Sequence, residues 1–193
     1  EAARGAMYDF GDKRQSLHFA QVFQGAEKAG YLQGARAEHV AFGTVNGKDG
    51  KPFKTRDGGV MRLQTLIAMA RDEAAKRLGE SGIGKDFPEA EQAEIAQKVA
   101  IAALKFADLS NHRASDYAFD IEKFTQFEGK TGPYLLYACV RMRSILRKAE
   151  ERGFQPGPVQ DPGADELGLW LALMGVPEAL ERAAAESLPH VIC

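Results

Sequence analysis

The sequence contains little that would tie it to a membrane, a disulfide scaffold or a secretory route. It has two cysteines in 193 residues, Cys139 and Cys193, and neither lies in a paired motif. Isolated thiols favour a reducing compartment, so we expect a cytoplasmic protein. No apolar run is long enough to cross a bilayer and no signal-peptide pattern opens the chain, so we expect no membrane partner.

Motifs for metal binding and nucleophilic catalysis are also missing. The histidines are scattered along the chain at His18, His39, His112 and His190. With no Cys/His cluster, we expect no metal site. Neither a GxxxxGK[ST] phosphate loop nor a nucleophile elbow occurs. Asp116 and Asp120 could share one side of a helical turn, and we interpret them as capping or solvated acids rather than as a catalytic pair.

The net charge of −2 argues against a strongly basic coat for nucleic acid, although it permits RNA binding through a local patch. The content of hydrophobic residues, 45%, is sufficient to bury a core.

One α/β unit is present near the start of the chain. Residues 7–11 predict a short strand, and the apolar spacing from Ser16 predicts a helix that ends at Gly30. A second strand is predicted at Val40–Val45. A single unit is too little for an independent doubly wound sheet. We therefore expect an incomplete α/β remnant here.

Helical patterns fill the rest of the chain, which makes the protein mainly α. The first predicted helix carries an apolar stripe from Leu63 to Leu78 and ends at Gly79. The second buries a face running from Ile95 to Leu109. Residues 111–132 predict a short helix between loops, and residues 153–168 a linker that two short helices follow. The helix beginning at Pro133 is predicted to bury Leu135, Ala138, Met142, Ile145 and Ala149.

A basic, glycine-rich loop at residues 47–59 is the first candidate site. Lys51, Lys54 and Arg56 lie there among glycines, directly after the second strand. Flexible backbone N–H groups and cationic side chains suit a polyphosphate whose charge shifts during reaction. From spacing alone, a solvated turn is the alternative.

A second candidate surface runs along the helix from Pro133. Tyr134, Tyr137, Arg141 and Lys148 fall on one face, and Arg143 flanks them. Aromatic rings beside cations are used by readers of single-stranded RNA for stacking and phosphate contact. The alternative is an amphipathic helix with a solvated basic face and buried tyrosines.

Several blocks resemble arginyl-tRNA synthetases in both order and spacing. The loop sequence Lys-Pro-Phe-Lys-Thr-Arg at residues 51–56 is similar to the form that this family has in place of the KMSKS-type loop of most class I synthetases. The other blocks are Arg14–Phe19, His39–Val45, Ala107–Ser110, Asp116–Asp120 and Phe127–Ala138.

The resemblance implies roles for individual residues. Lys51 and Lys54 would be catalytic through phosphate contacts, with Arg56 as a weaker third contact. The adenine of ATP would lie against His39, Phe42, Gly43 and Thr44. Gln15 would accept from the guanidinium of L-arginine, and Tyr134, Tyr137, Arg141, Arg143 and Lys148 would contact tRNA.

Each role has a structural alternative. Gln15 could be a polar residue at a helix start, His18 a structural histidine, and Phe42 a core side chain.

The resemblance also implies a function and a domain plan. The parent protein would join arginine to its tRNA, with ATP and Mg²⁺, as a monomer. Residues 1–62 would end the catalytic domain, 63–106 would form a helical stem, and 107–193 would be a truncated anticodon-binding helical bundle. Since the chain lacks the HIGH-type motif, starts without Met and ends directly after a helical pattern, we expect an internal fragment that is inactive alone. The alternative is a non-catalytic RNA-binding protein derived from a synthetase, which a start codon close upstream of Glu1 would favour.

Overall fold

The computed structural model describes residues 5–47, 49–51, 61–158, 161 and 163–193. Its N-terminal part is a β-α-β unit made of strand β1 (Ala6–Asp12), helix α1 (Ser16–Lys28) and strand β2 (Arg36–Phe42). The strands pair in parallel from Ala6↔Arg36 to Asp12↔Phe42. A parallel pair needs a crossover connection, which α1 supplies. The predicted α/β remnant is therefore confirmed.

The second strand begins earlier than predicted and ends at Phe42. Pairing with the whole of β1 draws the polar residues before Val40 into the sheet, where Arg36 and Glu38 form an ion pair. Residues Val45–Asn46 form a separate short strand, β3, which pairs in parallel with β4 (Tyr117–Ala118). The apolar run that predicted one strand thus contributes to two sheets.

Helix α1 ends as its sequence predicts. Gly30 has a φ of 77°, its N–H donates to Glu27 O, and the N–H of Tyr31 donates to Ala26 O. This pair of bonds is a Schellman motif, in which glycine adopts the left-handed conformation without cost. Leu17 and Val22 of this helix are exposed.

Four helices form the middle of the molecule: α2 (Leu63–Ser81), α3 (Glu89–Leu109), the single turn α4 (Ile121–Phe124) and α5 (Gly132–Glu151). The centre of the core consists of Ala70, Ala74, Val99 and Ala100. These small side chains let α2 and α3 approach closely.

Two details of the predicted helices were wrong. Helix α2 ends at the left-handed Gly82 rather than at Gly79. Helix α3 buries Ala96, Ala103 and Ala107 beside Val99, so its packed face is rotated from the predicted stripe, and Leu109 is exposed.

Helix α5 is anchored at its first turn. The Thr131 hydroxyl donates to Gln126 O (2.7 Å) and accepts from the N–H of Tyr134 (3.2 Å). A Cβ at Gly132 would lie 2.0 Å from Ala102 O, so only glycine permits this approach to α3.

The predicted core stripe of α5 is wrong for this chain. Leu135, Met142 and Ile145 are exposed, Ile145 by 62%. Within this helix only Gly132 and Pro133 are buried, so its larger apolar side chains are largely exposed.

The chain ends with helices α6 (Leu167–Met174) and α7 (Val176–Glu186) and a 3₁₀ turn at Pro189–Ile192. Both short helices are confirmed, and the described residues between α5 and α6 form no helix or strand. The fold is mainly α, as predicted, with an incomplete α/β unit followed by a helical region. Among the described residues, no helix is both long enough and apolar enough to cross a membrane.

Candidate functional site

The loop that follows β2 is held in place by a distant segment, residues 113–119. The N–H of Gly43 donates to Arg113 O (2.8 Å), and the N–H of Tyr117 donates to Thr44 O (3.1 Å). A Cβ at Gly43 would lie 2.2 Å from Ser115 O, so the two backbones touch. The position of Gly43 and Thr44 is therefore set by residues about 70 positions further along the chain.

Asp116 is the polar centre of this contact. One carboxylate oxygen accepts from the N–H (2.7 Å) and hydroxyl (2.9 Å) of Thr44, and the other accepts from Lys13 Nζ (2.9 Å). The N–H of Thr44, followed by Lys13 and the Thr44 hydroxyl, lowers the pKa of Asp116 to about 2. Asp116 is therefore an ionised clamp between Lys13, in the 3₁₀ turn that precedes α1, and the loop after β2.

The sequence interpretation of the two acids was correct for one of them only. Asp120 caps α4 by accepting from the N–H groups of Glu122 and Lys123. Asp116 has a larger role than a cap, and only the Asp116–Asp120 block pointed to it.

A cleft of about 910 Å³ opens beside this loop, next to the first turn of α2 and the end of α3. Its walls include Phe42, Thr44, Leu66, Leu104, Tyr117 and Phe119. Tyr117 donates its hydroxyl to the Asp108 carboxylate at 2.9 Å. Burial, followed by the charge of this carboxylate, raises the pKa of Tyr117. The cleft is therefore mostly apolar, with a protonated phenol in its wall.

His39 lies away from this cleft. Its Nδ1 is 2.7 Å from Asp9 Oδ2, and its ring stacks on Phe19 with centroids 4.7 Å apart. The side chain is 7% exposed, and Nε2 is buried without a partner among the described atoms. Because alternate residues of a strand face opposite sides, His39 faces α1 while Phe42 faces away from it. The structure therefore does not bring these two adenine candidates together.

Gln15 lies near the Asp9–His39 pair. A Cβ at Gly11 would be 2.8 Å from His39 Cε1, 3.1 Å from Asp9 Oδ2 and 3.2 Å from Gln15 Oε1. Gly11 thus leaves room for a carboxylate and an amide oxygen to face one small space. The sequence interpretation missed Asp9 and Gly11, because their significance depends on strand register.

The basic loop is described only at its beginning. The N–H of Gly47 donates to Lys51 O (2.8 Å), the N–H of Lys51 donates to Asp49 Oδ1 (3.1 Å), and Gly50 has a φ of 72°. This turn leaves Lys51 exposed, four residues beyond Gly47. Lys54 and Arg56 lie outside the described residues.

The predicted RNA-contacting residues share an exposed surface of α5. Tyr134, Tyr137, Arg141, Arg143 and Lys148 are all exposed. Arg141 Cζ lies 5.7 Å from the centroid of the Tyr137 ring, a cation–π contact. The tyrosines are thus not buried, contrary to the alternative of an amphipathic helix with a tyrosine core.

Comparison with known protein families divides the chain into two regions. The model described as tRNA synthetases class I (R), catalytic domain, matches residues 2–121, and the DALR anticodon binding domain model matches residues 135–193. The β-α-β unit thus falls in a catalytic region and α5 in an anticodon-binding region. The class defined by fold and site is that of the class I aminoacyl-tRNA synthetases.

Individual relatives narrow this class. The chain is 52% identical over 182 residues to an arginine–tRNA ligase of Hyphomonas neptunium and 50% identical to that of Maricaulis maris, in each case over 94% of the chain. The chain spans 31% of the length of both relatives. The chain belongs to the arginyl-tRNA synthetase family.

Solved structures agree on the fold. The arginyl-tRNA synthetase of Thermus thermophilus superposes with a TM-score of 0.75 at 29% identity, over 95% of this chain and 30% of that one. The Plasmodium falciparum enzyme gives a TM-score of 0.76 at 23% identity, over 96% and 31% of the two chains.

Proposed function

We propose that this chain forms the adenine-side loop and part of the tRNA-binding region of an arginine–tRNA ligase. The observation that carries the proposal is the position of Gly43 and Thr44, which lie just past the carboxyl end of a parallel strand and directly before the basic loop. Ligands of open α/β sheets bind at this end of the strands. The adenine of ATP would lie in the cleft beside Phe42 and Thr44.

The cationic loop would act on the phosphates. In amino-acid activation, the arginine carboxylate would attack the α-phosphate of ATP, and pyrophosphate would leave. A tRNA ribose hydroxyl would then attack the carbonyl carbon of the arginyl-adenylate, and AMP would leave. Lys51, Lys54 and Arg56 would stabilise the charge that develops on the phosphate oxygens, without transferring a proton. The exposed turn at Lys51 supports this role, because it leaves the ammonium group free to reach a ligand.

Gln15 would help to bind arginine. Its amide oxygen lies at the space above Gly11 together with the Asp9 carboxylate, and both groups accept from the N–H groups of a guanidinium. His39 would support this region through its bond to Asp9. The adenine role that the resemblance implies for His39 does not fit this position, because the ring packs on Phe19 of α1 and lies away from the cleft.

Magnesium would enter with the nucleotide. Among the residues the structure describes, no group of three or more His, Cys, Asp or Glu side chains could hold a metal ion. We therefore assign no protein ligand to Mg²⁺ and propose that ATP phosphates carry it. We also propose domain boundaries near residues 62 and 106, a cytoplasmic location and a monomeric parent.

The α5 surface supplies the direct test. The chain is titrated with a fluorescent transcript of tRNA for arginine and with a tRNA of another specificity. Tyr137→Ala should weaken binding by roughly 5- to 100-fold through lost base stacking. Arg141→Ala should weaken it and reduce the slope of log K against log salt by about one.

Lys98→Ala is the matched control, since it removes an exposed cation on α3 that pairs with Glu94 on the same helix. It should change the affinity less than twofold. Equal affinity for both tRNAs, or unchanged binding in Tyr137→Ala and Arg141→Ala, would refute the assignment of this surface.

Activation is tested separately by ATP–pyrophosphate exchange. The isolated chain, which has no HIGH-type motif, should give no exchange above background, with the Hyphomonas neptunium ligase as positive control. Exchange that is lost on Lys51→Ala would contradict the expected inactivity. The alternative, a non-catalytic RNA-binding protein, would be favoured if the complete reading frame also lacks this motif.

A further inference from the structure

Arg113 connects three parts of the molecule. Its NH1 donates to Ala41 O of β2 (2.8 Å), and its Nε donates to Ser187 O, just past the end of α7 (3.0 Å). Its own carbonyl accepts from the N–H of Gly43 (2.8 Å). The planar guanidinium holds two donors at a fixed angle, so it fixes the positions of both carbonyls relative to each other.

The contact at the end of α7 is made by a residue with an uncommon backbone conformation. Ser187 has a φ of 53°, a left-handed conformation that non-glycine residues seldom adopt. Its conformation ends α7 and directs the chain into the Pro189–Ile192 turn. There the ring of His190 packs on His112, with centroids 5.1 Å apart. His112 and Arg113 thus both contact the C-terminal end of the chain, His112 at His190 and Arg113 at Ser187.

The other side of the same segment holds the loop after β2. Ser115 O touches Gly43, and Asp116 binds Thr44 through two hydrogen bonds. A displacement of residues 112–116 must therefore move Gly43 and Thr44, because the close contact at Gly43 leaves no space to absorb it.

We propose that Arg113 is a positioning residue that couples the placement of helices α6 and α7 to the conformation of the Gly43–Thr44 loop. The C-terminal helices, which the family model assigns to anticodon binding, would thereby adjust the loop beside the cleft. The meaning of this coupling for ATP rests on the proposed function, whereas the coupling itself is measurable without any ligand.

The test uses amide chemical shifts and hydrogen exchange of the ligand-free chain. His190→Ala removes a ring contact that lies outside the loop. It should shift the Gly43 and Thr44 amide resonances and speed their exchange roughly 3- to 10-fold. Arg182→Ala is the control, because this exposed α7 side chain pairs with Glu186 and not with Arg113. It should leave both amides unchanged.

Arg113→Lys keeps the positive charge but loses the planar pair of N–H donors. It should speed exchange on both sides of the junction, at Gly43 and at Leu188, whose N–H donates to Ala183 O. Faster exchange at Leu188 alone, or no change at Gly43 in His190→Ala, would overturn the proposal.

A second arm adds the tRNA for arginine. It should alter the Gly43 and Thr44 resonances in the wild type but not in Arg113→Lys. If the wild-type chain binds no tRNA, the proposed function fails while the ligand-free result still decides the coupling. If tRNA binds and the resonances respond equally in both proteins, the coupling fails alone.

Discussion

Gly43 makes a close backbone contact between the α/β unit and the segment that follows α3. A Cβ there would lie 2.2 Å from Ser115 O and 2.5 Å from Ser115 C. These neighbours are backbone atoms, which cannot rotate away as a flexible side chain could. The residue type at this position is therefore dictated by space rather than by a left-handed conformation.

Gly43→Ala should destabilise the chain by about 2 kcal/mol, since overpacking against rigid neighbours typically costs this much. Gly25→Ala is the matched control, because Gly25 lies within α1 and a Cβ there meets no atom within 4 Å. It should stabilise the chain by about 1 kcal/mol through helix propensity. Urea unfolding followed by circular dichroism measures both; destabilisation of similar size in the two variants would contradict the steric argument.

The Asp116 clamp should make the free energy of unfolding depend on pH in the acidic range. Its pKa in the folded chain is lowered from 3.8 to about 2, so the unfolded chain takes up the proton first. The contribution of Asp116 is present above about pH 4 and is lost as the pH falls towards 2. Asp12, held by Arg14, has its pKa lowered to about 2 as well.

Asp116→Asn should therefore lower Tm at pH 6 and flatten its fall between pH 4 and pH 2. Asp12→Asn serves as the comparison, because its carboxylate pairs with Arg14, which is only two residues away. Only Asp116→Asn should also speed exchange of the Thr44 amide. Identical Tm profiles for wild type and Asp116→Asn would show that the clamp contributes nothing.

At the scale of elements, α5 is buried at its start and mostly exposed along the rest of its length. Thr131, Gly132 and Pro133 are buried, and the residues after them are mostly exposed. The orientation of the proposed RNA-binding surface is thus set by three residues at the start of a 20-residue helix.

Thr131→Ala should destabilise the chain by about 2 kcal/mol, because it removes the cap of α5 and leaves the Gln126 carbonyl without its donor. Thr131→Ser keeps the hydroxyl and should recover most of this loss. Thr65→Ala, at an exposed position in α2, should be neutral or slightly stabilising. Chemical denaturation of the three variants checks the ranking; a neutral Thr131→Ala would disprove the role of the cap.

Elements with their own local signals were predictable from the sequence. The Schellman end at Gly30, the start of α5 at Thr131–Pro133 and the two short C-terminal helices follow from residues a few positions apart. The packed face of α3 was not predictable from the sequence. Alanines such as Ala96 and Ala103 make the contact, whereas the prediction followed a stripe that includes larger apolar residues.

The candidate site was predictable only in part, for a related reason. The basic loop and the α5 face are continuous in sequence and resemble one family. The opposite orientations of His39 and Phe42 follow from strand register, and the Arg113 and Asp116 contacts join residues about 70 positions apart. No local pattern encodes such a distance.

On the scale of the whole molecule, the C-terminal helices are weakly attached. Helices α6 and α7 have no buried residue, and in α6 Leu171 is 61% and Met174 73% exposed. Their connection to the body includes the Arg113–Ser187 bond and the His112–His190 ring contact. Little apolar burial opposes their separation, so this region should open before the rest.

Trp170, the only tryptophan, lies in α6 and reports on this opening. In urea, its fluorescence should change at a midpoint about 1 M below that of the circular dichroism signal, which follows all helices. Arg113→Lys should widen the gap. Coincident transitions in the wild type would show that the chain unfolds as one cooperative unit.

The pairing of β3 with β4 has a consequence for the order of assembly during synthesis. The β-α-β unit is complete once Phe42 has left the ribosome, since all its pairings lie within residues 6–42. The Gly43–Thr44 loop, however, acquires its partners only when Tyr117 emerges. At about 5–20 residues per second, this leaves a window of roughly 4 to 15 seconds in which the nascent site is unformed. The Gly43–Thr44 loop therefore reaches its final position only after the helical stem has been made.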